Sequence, residues 1–267
     1  MKYAKITSPA NPHIKKAMEV RKKRPEQDIF LVEGAHLIEM ALEAGAGIMA
    51  VFFTGSFISK KEGQAIVSLL AKKTSEIFET TEHLLDKLTD TKTPQGIAAV
   101  VSYKTLKLSE LPLKNLPLLV VIDGVQDPGN LGSIIRTSDA AGADAVVLLP
   151  GTCDPFMPKT LRSTSGSIFT IPVVSAETPH LLEWLAERKI RSVITSADAK
   201  KIIFDTDLKF PAAFVFGNEA HGVSEQMRRA ADLFLKIPII GRAESLNVAA
   251  SAAICLYEAV RQRSYDG

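Results

Sequence analysis

Three stretches of this 267-residue chain set out polar side chains in patterns that could do chemistry. In DGVQDPGNLGSIIRTSDAAGA (123–143) an apolar run ends in a Pro-Gly-Asn turn. Asn130 is suited to cap the helix that follows, and Arg136 falls one to two turns into it. A strand, a glycine turn and a helix start make an anion-accepting corner, and a guanidinium can grip two phosphate oxygens at once. FGNEAHG (216–222) also follows an apolar run; Gly217 would let a ligand approach the backbone, and Asn218 and Glu219 offer polar groups. His221 is a general base by type alone, and a lone loop histidine is more often a bystander. In IPIIGRAESLNVAASAAICLYEAVRQR (237–263) Ser245 reads as the N-cap of a long helix, with Asn247 in its first turn among free amides. KTLRSTSGSIF (159–169) adds Arg162 and several hydroxyls that could hold phosphate. None of these spacings is G-x-G-x-x-G or G-x-x-x-x-G-K-[ST], so a nicotinamide-dependent oxidoreductase and a P-loop enzyme lose support.

The elements that must position these groups alternate between strand and helix. Near-continuous apolar runs at 118–122, 145–150, 167–174, 191–196, 212–217 and 233–238 read as buried strands of a parallel sheet. Helices are expected over 131–141, 179–188, near 224–231, and along the alanine-rich close of the chain. A smaller α/β unit precedes them, with strands at 28–34, 49–55, 77–81 and 96–103 and helices at 35–45 and 64–74. The proline-broken stretch between reads as a linker. The expected divisions are an arm over 1–24, a small domain over 25–103, a linker over 104–117 and a larger domain over 118–267.

Composition narrows the function classes. Apolar content of 46% and charge of 23% describe an ordinary globular protein with ample core. The longest apolar runs are too short to cross a bilayer, and the N-terminus lacks a secretory h-region. Cys153 and Cys255 stand far apart without a histidine cluster, so neither a disulfide framework nor a metal site is expected, and a cytoplasmic location fits. Residues 1–24 hold eight basic side chains and one acidic one, a net +7 that leaves −5 for the rest of a chain of net +2. Lys15, Lys16, Arg21, Lys22, Lys23 and Arg24 therefore read as contacts to a polyanion, joined by Arg162.

Taken together and in order, DPGNLGSIIRTSDAAG, FGNEAHGVS and the 237–263 stretch resemble the three motifs of the SpoU (TrmH-type) RNA 2′-O-ribose methyltransferases of the SPOUT superfamily. DIFLVEGAHLIEMAL and TPQGIAAVVS resemble the small substrate-binding domain, similar to ribosomal protein L30e, that often precedes that catalytic domain. The resemblance implies an α/β fold with a C-terminal SPOUT domain, a mostly parallel sheet and a deep trefoil knot. It implies S-adenosylmethionine as cofactor, a homodimer, no metal and no membrane. Carried over by position, it puts Arg136, Asn130, Glu219, Ser245 and Asn247 at the catalytic and substrate positions. Gly217, Ile237 and Leu246 fall on the cofactor loops, with Asn218, Leu148 and Pro150 as neighbours.

The implied reaction is displacement at a sulfonium methyl by a ribose 2′-hydroxyl, whose harder tasks are alignment and loss of the hydroxyl proton. Arg136 suits a phosphate beside that ribose; its guanidinium keeps its proton, which leaves the base open. Ribosomal RNA of the large subunit is the favoured substrate. The alternatives are transfer RNA methylation and an RNA-binding protein without catalysis.

Overall fold

A computed structural model of the chain describes residues 3–23, 28–89, 91 and 94–264. It divides into two compact units, Met1–Lys104 with Phe156–Phe169, and Thr105–Pro155 with Thr170–Gly267.

The first unit runs β1 (Ala4–Ile6), α1 (Pro12–Lys23), β2 (Ile29–Glu33), α2 (Ala35–Glu43), β3 (Gly47–Thr54), α3 (Gly55–Ile58), α4 (Lys61–Leu70), β4 (Ile77–Thr80), α5 (Glu82–Leu88) and β5 (Ile97–Ser102). Its five strands lie in the order β1-β4-β3-β5-β2. The first three of these are parallel, and β5 runs antiparallel to β3 and β2. Ile14, Ala17 and Val20, three residues apart on α1, are buried with Ile6, Leu31, Phe52 and Leu84. Residues 4–23 are therefore the first strand and helix of this unit rather than a separate arm. Their apolar stripe is thin, and the lysines between its members disguise it in the sequence. Lys15, Lys16 and Lys22 remain exposed on the other side of the helix.

The second unit begins before its first strand. Leu108 and Leu111, in the stretch expected as a linker, are buried in its core with Trp184 and Val223. Asp144 accepts hydrogen bonds from the amides of Lys114 (2.9 Å) and Leu118 (2.8 Å), which fixes that stretch further. Then come β6 (Leu118–Asp123), α6 (Pro128–Ala140) and β7 (Ala145–Leu148). After β7 the chain enters the segment that belongs to the first unit and carries α7 (Pro158–Thr164). There Phe156 stacks on Phe30 with ring centres 4.3 Å apart, and Phe169 meets the Tyr103 ring edge-on at 5.4 Å. Where the sequence suggested one strand over 167–174, Ser167–Phe169 forms a 3-10 turn and only Val173–Ser175 (β8) is a strand. The unit continues with α8 (Thr178–Glu187), β9 (Arg191–Thr195), β10 (Lys201–Ile202), β11 (Ala212–Gly217), α9 (Glu225–Ala230), β12 (Leu233–Lys236) and α10 (Val248–Ser264).

These seven strands form one parallel sheet in the order β10-β12-β9-β11-β6-β7-β8. The apolar runs of β6, β7 and β11 are buried nearly throughout, as a sheet covered on both faces requires. Successive strands step from β6 to β7 and β8 on one side, and β11 flanks β6 on the other. Such a reversal leaves a crevice at the carboxyl ends of the strands. The loops after β6, β11 and β12 all start from that edge. On α10, Ala252, Cys255, Leu256 and Ala259 are buried at helical spacing, and the helix packs on α6 and β11. Its far end is pinned by side chains. Gln262 Oε1 accepts from the Leu208 amide (2.8 Å), and Arg263 Nε donates to the Leu208 carbonyl (3.1 Å).

Candidate active site

At the start of α6 the cap is Asp127, whose carboxylate accepts from the Asn130 amide at 2.9 Å, with Pro128 in the first turn. Asn130 therefore sits inside the helix rather than at its cap, and its side-chain amide is free for longer-range bonds. Asn130 Nδ2 donates to Glu219 Oε1 at 2.9 Å, and Asn130 Oδ1 accepts from Asn247 Nδ2 at 3.0 Å. A carboxylate only accepts, which fixes the orientation of the Asn130 amide and hence that of Asn247. Asn247 Oδ1 in turn accepts from the amides of Ala249 (2.9 Å) and Ala250 (3.3 Å). The cap of α10 is thus Asn247, two residues beyond the Ser245 that the sequence suggested. Three expected site residues, over a hundred positions apart at the extremes, form a single hydrogen-bonded chain.

Glu219 anchors that chain. It also accepts from the amides of Gln126 (3.1 Å) and Asp127 (3.2 Å). Burial alone would raise its pKa. The hydrogen bonds from Asn130 and from the backbone amides outweigh this and hold the carboxyl below its usual range. Cys153 nearby is pushed the other way, up to about 11, by burial first and then by the charges of Glu219 and Asp127. At neutral pH it is a thiol, with little nucleophilic character.

The loop after β11 is closed on itself. Asn218 Nδ2 donates to the Gly124 carbonyl (2.8 Å), while its Oδ1 accepts from the amides of Ala220 (2.9 Å) and His221 (3.0 Å). Asn218 and Gly222 also exchange backbone bonds, each of 2.9 Å. A Cβ at Gly217 would lie 2.2 Å from the carbonyl carbon of Gly222 and 2.3 Å from the Val223 nitrogen. The glycine is needed because its own loop folds back over it, whatever else approaches there. Sequence reasoning missed Asp123, a buried acid at the end of β6 whose Oδ2 accepts from the Ser224 amide at 2.7 Å. The available signal was an acid closing an apolar run just before a glycine.

A cleft of about 140 Å³ opens at the carboxyl ends of β9 and β12, lined by Thr195, Ser196, Ile237, Glu244, Ser245 and Leu246 among others. Two of the expected cofactor residues, Ile237 and Leu246, are here together with Ser245. Gly217, Asn218 and Leu148 are not; Leu148 is buried in β7 with its carbonyl bonded to the Ala176 amide at 3.0 Å. Arg136 is exposed on α6, and no hydrogen bond or ion pair among the described residues joins it to Asn130, Glu219 or Asn247.

The expected RNA-binding cations belong to the first unit. Lys15, Lys16 and Lys22 are exposed, and Arg21 Nη1 donates to the Thr89 carbonyl at 3.1 Å. Lys23 closes α1, and Arg24 lies outside the described residues. Arg162 lies beside an acid of the same unit: its Nη1 is 3.7 Å from Glu33 Oε2, and both atoms are buried.

Among the described residues no three His, Cys, Asp or Glu side chains gather as a metal site, and no helix is long and apolar enough to cross a membrane. Comparison with known families decides the kinship. Residues 117–257 match the SpoU rRNA Methylase family, and residues 11–99 match the MRM3-like substrate binding domain. The chain belongs to the SpoU rRNA methylase family.

The relatives named next cover more than nine-tenths of the chain. It is 37% identical over 254 residues to the 23S rRNA (guanosine(2553)-2′-O)-methyltransferase RlmP of Bacillus subtilis (strain 168), covering 94% of this chain and 97% of that protein. It is 32% identical over 249 residues to the 23S rRNA (uridine(2479)-2′-O)-methyltransferase of Streptomyces viridochromogenes, covering 91% and 86%. An AdoMet-bound rRNA methyltransferase from Sinorhizobium meliloti superposes with a TM-score of 0.87 at 31% identity, covering 98% of each chain. The Glu219–Asn130–Asn247 chain links the first turn of α6 to the loops after β11 and β12 of this SpoU methylase.

Proposed function

We propose that this SpoU methylase transfers the methyl group of S-adenosylmethionine to a ribose 2′-hydroxyl of 23S ribosomal RNA. The observation that carries the reading is the Asn130–Glu219–Asn247 chain at the carboxyl edge of the parallel sheet, one residue from the cleft at Leu246. The cleft suits the cofactor: Ile237 and Leu246 offer apolar surface to a purine, and Ser245 and Glu244 offer partners to hydroxyl and ammonium groups. When bound, S-adenosylmethionine supplies a methyl group on a sulfonium, already a good leaving group.

The protein's part is alignment and charge. The amides of Asn130 and Asn247 are locked by their mutual bond and by Glu219, so what they present to a ribose is preorganised. Glu219, held ionised by its donors, fits positioning better than proton removal, because those same bonds weaken it as a base. Arg136, exposed on α6, suits the phosphate next to the target ribose, where a guanidinium orients and neutralises without giving up its proton. Ser245 stands at the cleft and completes the catalytic set.

The large-subunit substrate rests on the relatives, which act on guanosine in one case and uridine in the other, so the target nucleotide is not carried over. The first unit is the L30e-like substrate-binding domain in this reading, with Lys15, Lys16 and Lys22 facing RNA. We further propose a homodimer in the cytoplasm. Ile240 is 100% exposed, and Ile239, Leu246 and Tyr257 are exposed around the same closing segment, an apolar surface that a second copy would cover. The closing segment is the thread of the trefoil knot in this reading. β12 enters the sheet between β10 and β9, and α10 then returns to α6 and β11.

The test is methyl transfer from labelled S-adenosylmethionine to 23S rRNA and to tRNA by the purified protein, with the product mapped by resistance to alkaline cleavage. Label in an alkali-resistant 23S linkage is the expected result. Label in tRNA alone would replace the substrate. RNA binding without transfer would leave a non-catalytic binder.

A further inference from the structure

We propose that the first unit holds an unpaired guanine of the RNA in the hollow between α1 and strands β3 and β5, away from the methylated ribose. This rests on the RNA-methylating function above and adds a site of base recognition to it. The hollow measures about 290 Å³. Small side chains line it on both sides, Ala17 on α1 and Ala50 on β3, with Met49 and Val100 completing an apolar lining. That is enough room for one base.

The lip gives the hollow its chemistry. His13 Nδ1 is 2.9 Å from Glu76 Oε2, and the His13 ring packs 4.4 Å from the Phe78 ring, so the imidazole holds the carboxylate in place. No partner of Glu76 Oε1 is present among the described residues. A carboxylate only accepts hydrogen bonds, so it selects a base edge with adjacent donors. Guanine offers two, N1–H and the N2 amino group, whereas adenine, cytosine and uracil each set a single donor group beside acceptors. Exposed Lys16 on the same rim suits the phosphate of that nucleotide. Unpaired bases received in apolar pockets and read on their edges are how sequence is recognised in RNA.

The test uses the full-length protein and the four nucleoside monophosphates as probes, followed by NMR of the Ala17, Ala50 and Val100 methyl groups. GMP is expected to shift these signals and to bind about tenfold more tightly than AMP, CMP or UMP, the discrimination of one bidentate base contact. Ala50→Leu fills the hollow from a half-exposed strand position and should abolish the GMP response. Glu76→Gln should erase most of the preference for GMP. The methyl signals of Ile6, Leu31 and Leu84, buried in the core of the same unit, should keep their wild-type dispersion in both variants, which shows that this unit is folded. Equal response to all four nucleotides, no response at these methyls, or GMP binding that survives in Ala50→Leu would overturn the proposal. If the wild-type protein methylates RNA while the hollow ignores GMP, only the guanine site fails; if it methylates no RNA, the function beneath it fails.

Discussion

Glu219 does its work by accepting. Three donors converge on it, two of them amides at the start of α6, where the free N–H groups and the helix dipole favour negative charge. Its carboxyl is therefore held below the ordinary value of 4.5. A depressed folded pKa adds stability that is present above the unfolded value and is lost as pH falls through the folded one. Thermal melts of wild type and Glu219→Gln should differ near neutral pH and converge once the pH has fallen below the lowered folded-state pKa of Glu219. A gap that persists in acid would mean that the carboxylate charge is not what the loop uses. Arg136 stands apart, exposed and without a protein partner among the described residues, as a group reserved for substrate would be. Arg136→Ala should cost about 2–4 kcal/mol in the transition state, comparable to deleting one preorganised donor. Arg136→Lys keeps the charge, loses the fork, and should retain part of the rate. Single-turnover methylation across pH checks both; a wild-type rate in Arg136→Ala would remove the residue from the mechanism.

The loop after β11 shows how an element can itself demand a residue that the sequence marks for a ligand. Gly217 is in register with Asp123 on β6, and the backbone of Gly222 and Val223 lies where a Cβ would stand. Gly217→Ala should destabilise the fold by about 1–3 kcal/mol, as overpacking does, and should loosen Glu219 with it. Denaturant unfolding measures the first effect; an unchanged midpoint would contradict the observed closeness. The strands of the second unit were legible because a covered parallel sheet needs unbroken apolar runs, and LLVVI and AAFVF supply them. Both helix caps at the site were read one candidate off. Asp127 and Asn130 can each cap, as can Ser245 and Asn247, and local chemistry does not choose between them. Tertiary bonding chooses: Asn130 is taken up by Glu219, and Asn247 reaches Asn130 while capping its own helix. α7 was not among the expected helices because Thr160, Ser163 and Thr164 dominate it, although Pro158 at its first turn is a helix-start signal. The residues expected on the cofactor loops do not all meet in one place. Ile237 and Leu246 line the cleft, whereas a buried strand residue such as Leu148 carries no sequence mark of which way its backbone faces.

The exposed lysines of α1 give the first unit a cationic surface, and the apolar closing segment of the second unit asks for a cover. Neutralising Lys15 and Lys22 as glutamines should flatten the dependence of RNA affinity on salt by roughly 1.4 to 1.8 in the logarithmic slope, one counterion-release increment per charge. S-adenosylmethionine affinity should not move. An unaltered slope would make these lysines mere solvated surface. Ile240→Asp puts a charge on a side chain that is 100% exposed in the single chain, so it should leave an isolated protomer folded. In light scattering it should shift the protein from dimer to monomer, and a wild-type mass equal to one chain would refute the dimer outright. The excursion of Phe156–Phe169 into the first unit has a bearing on biosynthesis. A chain that left this unit once, after Lys104, could finish folding it while the rest was still being made. Here Phe30 and Tyr103 lack their ring partners until Phe156 and Phe169 have been translated, well after β6 and β7. At about 5–20 residues per second the first unit spends several seconds outside the ribosome with aromatic surface uncovered, a window in which chaperones or misassembly would compete. The same interruption means that a cut between residues 104 and 105 separates neither half cleanly, so gene fragments split at that point should make poor stand-alone domains.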